Sequence, residues 1–555
     1  MFALTGKVVN LFDGKIRMET LYVEGEKIQA VGDFDLQVDR NLDYSDYYLL
    51  PGFMDAHIHI ESSMLTPASF AELALPHGTT CLVFEPHEVA NVCGVKGIEY
   101  MLKNKTPLRL FFTAPSCVPA TCMETSGCEL GAEEVRNLLK HPQCVGLAEV
   151  MSFPEVIRGN PMLLEKIRFA KEQGKIRDGH APQLRGLNLC KYIAAGIQSD
   201  HECSSLYEAA EKLKLGMHIM IREGSAAKNL EALIKLAYDG WRDRCMLVSD
   251  DLHVGDLIED GHLDRILRKA VTLGLDPIQA VRMVTLNPAR YFGLEGLGAL
   301  APGCYADVVI VKDLKRFEVE AVFVGGVLVA ENGKLTGRTE PTPTPPEVLS
   351  TVRIGNLSVE DLKLKSESRA KVRVIRLIPN EIVTGSDVAL LEARDGFLVP
   401  DTEHDVLPLV VVERHRMSGN LGRGFVSGFG LKSGALASTV AHDSHNCICI
   451  GASYEDMLVA VNELKKIGGG LVAVRDGAVL AEVELPIAGL MSDKSPHHIK
   501  EGLSRLHAVA KELGCPLQSP FMALSFLSLP VIPELKLTDK GLVDVNNFRM
   551  VDLFL

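Results

Sequence analysis

The chain has 555 residues, too many for one hydrophobic core, so two or three domains are expected. Hydrophobic residues make up 47% and charged residues 23%, the balance of an ordinary globular protein, and no apolar run approaches the ~18 residues of a membrane span. A formal net charge of −14 argues against nucleic acid or an anionic membrane surface as partner, because both need lysine and arginine to meet phosphate.

The N-terminal stretch MFALTGKVVNLFDGK is interrupted by Gly6, Lys7 and Asp13 and makes a poor signal peptide. Residues 1–50 alternate apolar and polar side chains between the hairpin signals Asp13-Gly14 and Glu24-Gly25, which reads as short strands. From Pro51 onward short β-rich runs alternate with helical stretches. Beginning with residues 52–57 and ending with CMLVSDD (245–251), eight strand candidates are separated by helical segments. Strand–helix alternation implies a parallel sheet, and eight units imply a closed (β/α)8 barrel over 51–290, with DPIQAVRMVTLNPARYFGL as its last helix. Strand texture returns over 291–337, and this segment is expected to join residues 1–50 in a small split β-sandwich domain. The proline-rich stretch 338–349 reads as a linker. Residues 350–555 read as an additional C-terminal α/β domain, with glycine-dense loops and one histidine-bearing loop, AHDSHN (441–446). Thirteen cysteines, scattered singly with no CxxC, fit reduced thiols and a cytoplasmic location.

The stretch PGFMDAHIHIESS (51–63) places His57 and His59 two apart on a strand, so both rings point to one side. Barrel enzymes put their chemistry at the C-terminal ends of the strands. Reading those ends in order adds Glu149 after the fourth strand, His180 after the fifth, His201 after the sixth and Asp250 after the eighth. Each alone has a structural explanation: a satisfied loop histidine, an ion-paired glutamate, a capping aspartate. Together, four imidazoles and two carboxylates exceed what one catalytic ion takes and suit two metal ions. Glu149 is the natural bridge because it has two oxygens. Asp250 is the candidate general base and later acid, and such a site hydrolyses a C–N bond.

The ordered set His57, His59, Glu149, His180, His201 and Asp250 resembles that of the amidohydrolase superfamily, as does LGALAPGCYADVVIVKD (297–313). More narrowly, PGFMDAHIHIESSMLTPASFAELALPHGTT, EPHEVANVCG and GLKSGALASTVAHDSHN are similar to bacterial-type adenine deaminases over essentially the whole chain. The resemblance implies hydrolysis of adenine to hypoxanthine and ammonia in purine salvage. It also implies two divalent ions, Mn2+ or Fe2+ before Zn2+, held by those six residues. The alternatives are a deaminase of adenine substituted on its exocyclic nitrogen, or another cyclic amine or amide hydrolase of the same superfamily. The zinc base deaminases that act on nucleic acid carry a CxxC, which this chain lacks. The expected partner is a small molecule, adenine, and the expected assembly a homodimer.

Candidate substrate contacts are Asp251, His87 and Glu223. Asp251 could bond a purine ring nitrogen or cap a helix. His87 could touch substrate or hold its own loop. Glu223 could read the base edge or sit in a buried salt bridge. The loop HDSHN (442–446) could close the barrel mouth or hold a domain interface.

Overall fold

The computed structural model describes every residue except 226, 239, 338, 340, 341 and 380. Four N-terminal strands come first: β1 (Phe2–Asn10), β2 (Lys15–Glu24), β3 (Lys27–Gly32) and β4 (Arg40–Pro51). The barrel strands follow: β5 (Phe53–His59), β6 (Thr79–Phe84), β7 (Arg109–Ala114), β8 (Cys144–Val150), β9 (Ile176–Gly179), β10 (Ser199–Asp200), β11 (His218–Arg222) and β12 (Cys245–Val248), then the two-residue β13 (Asp250–Asp251). Every residue of β5, β6 and β8 is buried. A parallel sheet covered by helices on one side and filled on the other demands this, and it explains why these strands read as unbroken apolar runs.

The strands pair in parallel as β13-β5-β6-β7-β8-β9 and β10-β11-β12. Gln198 N donates to Arg177 O at 2.9 Å across the first gap between the two sets. At the second, Asp55 accepts from the Ser249 backbone and from its hydroxyl at 2.6 Å. The barrel is thereby closed, an α/β TIM-like fold. The expected last helix is two, Pro277–Met283 and Leu286–Phe292. Val284 and Thr285 interrupt them, and Pro288, which lacks a donor, falls in the first turn of the second, where none is needed.

After the barrel come β14 (Val308–Val311), β15 (Val319–Val324), β16 (Val327–Glu331) and β17 (Lys334–Leu335). β14 pairs antiparallel with β4, Val308 opposite Pro51, so both segments join edge to edge. The result is one eight-stranded sheet, β17-β16-β15-β14-β4-β1-β2-β3, which curls so that Phe2 of β1 stacks on Phe323 of β15, with ring centroids 6.3 Å apart, and its two halves enclose one apolar core. Part of the linker 338–349 lies outside the described residues. Its end contains a three-residue 3-10 turn, Pro346–Val348, docked through Val348 O to the Ala488 backbone.

The C-terminal region contributes β18 (Ala370–Leu377), β19 (Thr384–Leu391), the short hairpin β20 (Ala393–Arg394) and β21 (Phe397–Leu398), β22 (Leu407–Val412), β23 (Leu421–Ser427), β24 (Ala435–Ser438), β25 (Cys447–Gly451), β26 (Gly470–Arg475) and β27 (Ala478–Glu484). Its main sheet runs β19-β18-β23-β22-β25-β24-β26-β27, antiparallel at every pairing except β18 with β23. The helix Tyr454–Ile467, capped by Ser453, packs Met457, Val461 and Leu464 on one face. A last small sheet holds β28 (Leu535–Thr538), β29 (Gly541–Asp544) and β30 (Arg549–Val551). One continuous apolar core runs from the barrel into this region, joining Phe84 and Phe112 to Phe429 and Leu537. That shared core sets the β24–β25 loop, residues 439–446, against the barrel mouth.

Candidate metal centre and its pocket

The strand period brings His57 and His59 onto the inner side of β5, where their rings meet edge to face with centroids 5.0 Å apart. His201, at the end of β10, stacks on His57 at 4.2 Å. His180 follows β9. Glu149 Oε2 lies 2.5 Å from His180 Nδ1 and 3.1 Å from His201 Nε2, while Oε1 lies 3.7 Å from His59 Nε2. The two oxygens of Glu149 thus address two different groups of imidazoles. Asp250 Oδ1 is 3.6 Å from His57 Nε2 and 3.3 Å from His59 Nε2. All six ligand candidates are buried and fall into overlapping triads whose donor atoms lie within 4.8 Å of one another.

Asp250 adopts φ +58°, in the left-handed region, which short polar side chains tolerate better than most. Its Oδ2 accepts from Arg222 Nη1 at 2.9 Å. Arg222 in turn grips Glu202 with both terminal nitrogens. The sequence suggests that Glu223 could neutralise Arg222. The structure assigns that work to Glu202 and Asp250 instead, because Glu223 takes an ion pair with Lys269 at 2.5 Å and a bond from Leu230 N. Glu223 is absent from the pocket lining, and its salt-bridge alternative is the arrangement found.

The electrostatics suit cations. Burial would raise the Glu149 carboxyl, but the imidazoles of His180 and His201 outweigh it and hold the group well below the ordinary carboxylate range. Burial would likewise raise Asp250, and the nearby imidazoles of His57 and His59, with Arg222, keep it well below. Burial, reinforced by His201, drives His57 down to about 4, so this ring is neutral with a lone pair to give. Its Nε2 is buried and has no hydrogen-bond partner, as is Nε2 of His180. Orphaned imidazole nitrogens beside two ionised carboxylates fit a pair of divalent ions.

His87 and Asp251 also line the pocket. The His87 ring bridges Glu85 at 3.2 Å, Glu149 at 3.5 Å and Glu88 at 3.4 Å. Asp251 accepts from Ser62 Oγ at 2.5 Å. Glu85 accepts the Glu149 backbone N–H at 3.1 Å and so fixes the bridging candidate. The remaining wall comes from the C-terminal region: Ile382, His442, Asp443, Phe526, Leu529, Val531 and Ile532. A larger cleft of about 530 Å3 lies outside, sharing only Ile382 and Phe526 with this pocket. It contains none of the ligand set, so the chemistry belongs to the smaller, inner pocket. Sequence reasoning missed Glu88, Glu202 and Phe526. No local pattern marks them, because their partners are distant in the chain.

The described residues contain no helix long and apolar enough to cross a membrane. The amidohydrolase family profile matches residues 48–329, just over half of the chain. The chain is thus an amidohydrolase, the class that the barrel and its ligand cluster define. The profile of the adenine deaminase C-terminal domain matches residues 381–549. The adenine deaminase of Dehalococcoides mccartyi strain 195 is 46% identical over 99% of this chain and 95% of its own length. That of Methanothermobacter thermautotrophicus is 46% identical over 99% of both chains. Within the class, the chain belongs to the adenine deaminase family. Among solved structures, a β-aspartyl dipeptidase from Fervidobacterium islandicum matches 60% of this chain and 98% of its own, at 19% identity and TM-score 0.46.

Proposed function

We propose that the protein hydrolyses adenine to hypoxanthine and ammonia, as a step of purine salvage. The observation that carries this reading is full-length similarity to adenine deaminases together with a buried ligand cluster at the small inner pocket. His57, His59, Glu149, His180, His201 and Asp250 would hold two divalent ions, with Glu149 as bridge. We favour Mn2+ or Fe2+, which accept mixed imidazole and carboxylate donors, with Zn2+ as the alternative. Bound there, the ions supply a water-derived nucleophile at neutral pH and polarise the ring being attacked.

This chain's residues do the rest. Asp250 takes a proton from the nucleophile through Oδ1, the oxygen that Arg222 does not engage, and returns it to the departing amine. Arg222 holds Asp250 by its other oxygen, fixing its orientation and favouring the ionised base. Glu85 fixes the strand end that bears Glu149. Ile382, Phe526 and Leu529 keep bulk water from the ring being attacked. His87 and Asp251 lie within reach of a bound base, and Glu223 supports β11 from outside the pocket.

The proposed division is a split β unit (1–50 with 291–337), the barrel (51–290), a linker (338–349) and the C-terminal domain (350–555). Thirteen free cysteines suit a reducing compartment, and we place the protein in the cytoplasm, as a homodimer. The test of function is kcat/KM for adenine, adenosine and AMP on Mn2+-loaded protein. Adenine is expected to exceed adenosine by at least about 100-fold. Equal values would point to a nucleoside deaminase, and a preference for N6-methyladenine would favour the substituted-base reading.

A further inference from the structure

Asp443 belongs to the β24–β25 loop of the C-terminal region, yet it lines the same pocket as the ligand cluster. The residue is 4% exposed. Its Oδ1 faces His87 Nε2 at 3.7 Å, beyond hydrogen-bond reach, and its Oδ2 has no partner. Among the described residues that line the pocket, it is the one with a carboxylate oxygen both fully buried and unpartnered. A buried carboxylate oxygen without a donor is costly, and in a binding pocket it points to a ligand that brings the donor.

The loop cannot easily turn this group away. His442 Nδ1 lies 2.6 Å from Glu88 Oε1, and His445 contacts the other Glu88 oxygen. Arg414, fully buried, donates to His445 O and to Ala488 O. Asn446 donates to Thr125 O at 2.8 Å. Asp443 is therefore set in place before any ligand arrives. His442 also stacks on Phe526, rings 4.6 Å apart and 15° from parallel, which presents a flat wall suited to a planar base.

The direction of the missing donor follows from His87. That ring stands between Glu149 Oε1, at 3.5 Å, and Asp443, at 3.7 Å. Asp443 is thus one imidazole beyond the ligand cluster. If the reaction is deamination, on which this inference rests, the carbon bearing the exocyclic amine must sit at the cluster. The other N–H of free adenine is on the five-membered ring, at the far side of the base. We propose that Asp443 Oδ2 accepts that ring N–H and so selects the free base. A base carrying ribose or methyl on that nitrogen has no proton to give and leaves the carboxylate buried and unpaired.

The test uses full-length, Mn2+-loaded enzyme and its Asp443→Ala and Asp443→Asn variants. Inhibition constants are measured for hypoxanthine and for its 7-methyl and 9-methyl derivatives, with adenine as substrate. Wild-type enzyme is expected to prefer hypoxanthine to the better methylated form by about 10- to 100-fold, the worth of a bond to a charged group. Asp443→Ala should bring that ratio within about threefold of unity, with adenine KM raised and metal content unchanged. Asp443→Asn, which keeps an acceptor oxygen, should fall between. An unchanged ratio in Asp443→Ala, or loss of metal from it, overturns the proposal while leaving deamination intact. Wild-type protein that releases no ammonia from adenine overturns both.

Discussion

The pivotal residues are two carboxylates with different duties. Asp250→Asn should keep the fold and most of the metal but lower kcat by roughly 10²–10⁴-fold, the usual worth of a general base. Single-turnover ammonia release at matched metal content checks this, and near-wild-type turnover would remove Asp250 from the mechanism. Glu149→Gln should lower metal content more than Asp250→Asn does, because both of its oxygens face imidazoles. Elemental analysis showing two ions in Glu149→Gln would place the bridge elsewhere. Arg222→Met should destabilise by about 3–5 kcal/mol, since it strands two buried carboxylates, Glu202 and Asp250. The six ligand candidates were legible because each stands at a strand end that the apolar run before it marks. Arg222 was visible as a cation, but its partner was misread. Glu223 is adjacent in sequence, whereas successive strand residues point to opposite sides, and Glu202 faces Arg222 from the neighbouring strand.

Among elements, the loop between β24 and β25 decides how complete the pocket is. Glu88 and His442 are 354 positions apart, so no spacing rule could pair them, although both motifs stood out in the sequence. The barrel was legible because buried parallel strands read as short apolar runs between helices. The pairing of β4 with β14 and the mostly antiparallel order of the C-terminal sheet were not, since strand texture alone does not say which edges pair. The roof of the pocket carries its own pH signature. Lys536, on β28, is fully buried and donates to Ile382 O and Phe526 O, whose side chains line the pocket. Burial pushes its ammonium from 10.5 down to about 7. Between those values the unfolded chain binds the extra proton, so stability rises with pH across that window. Urea midpoints at pH 7 and pH 9.5 should therefore rise more in wild type than in Lys536→Met. Equal changes would mean that Lys536 is paired or hydrated.

At the scale of the whole molecule, one apolar core spans the barrel and the C-terminal region. Calorimetry of the metal-loaded protein should accordingly show a single unfolding transition. Two resolved transitions would mean that the C-terminal region is an independent attachment and not a wall of the active site. The same continuity explains why the barrel alone does not complete the pocket: His442, Asp443 and Phe526 arrive from beyond residue 440. The central claim is a two-ion centre that deaminates adenine, and titrating metal-free protein with Mn2+ while following ammonia release tests it most directly. Activity should be absent without metal and rise to a plateau at two equivalents per chain. A plateau at one equivalent, or ammonia release by metal-free protein, would contradict it.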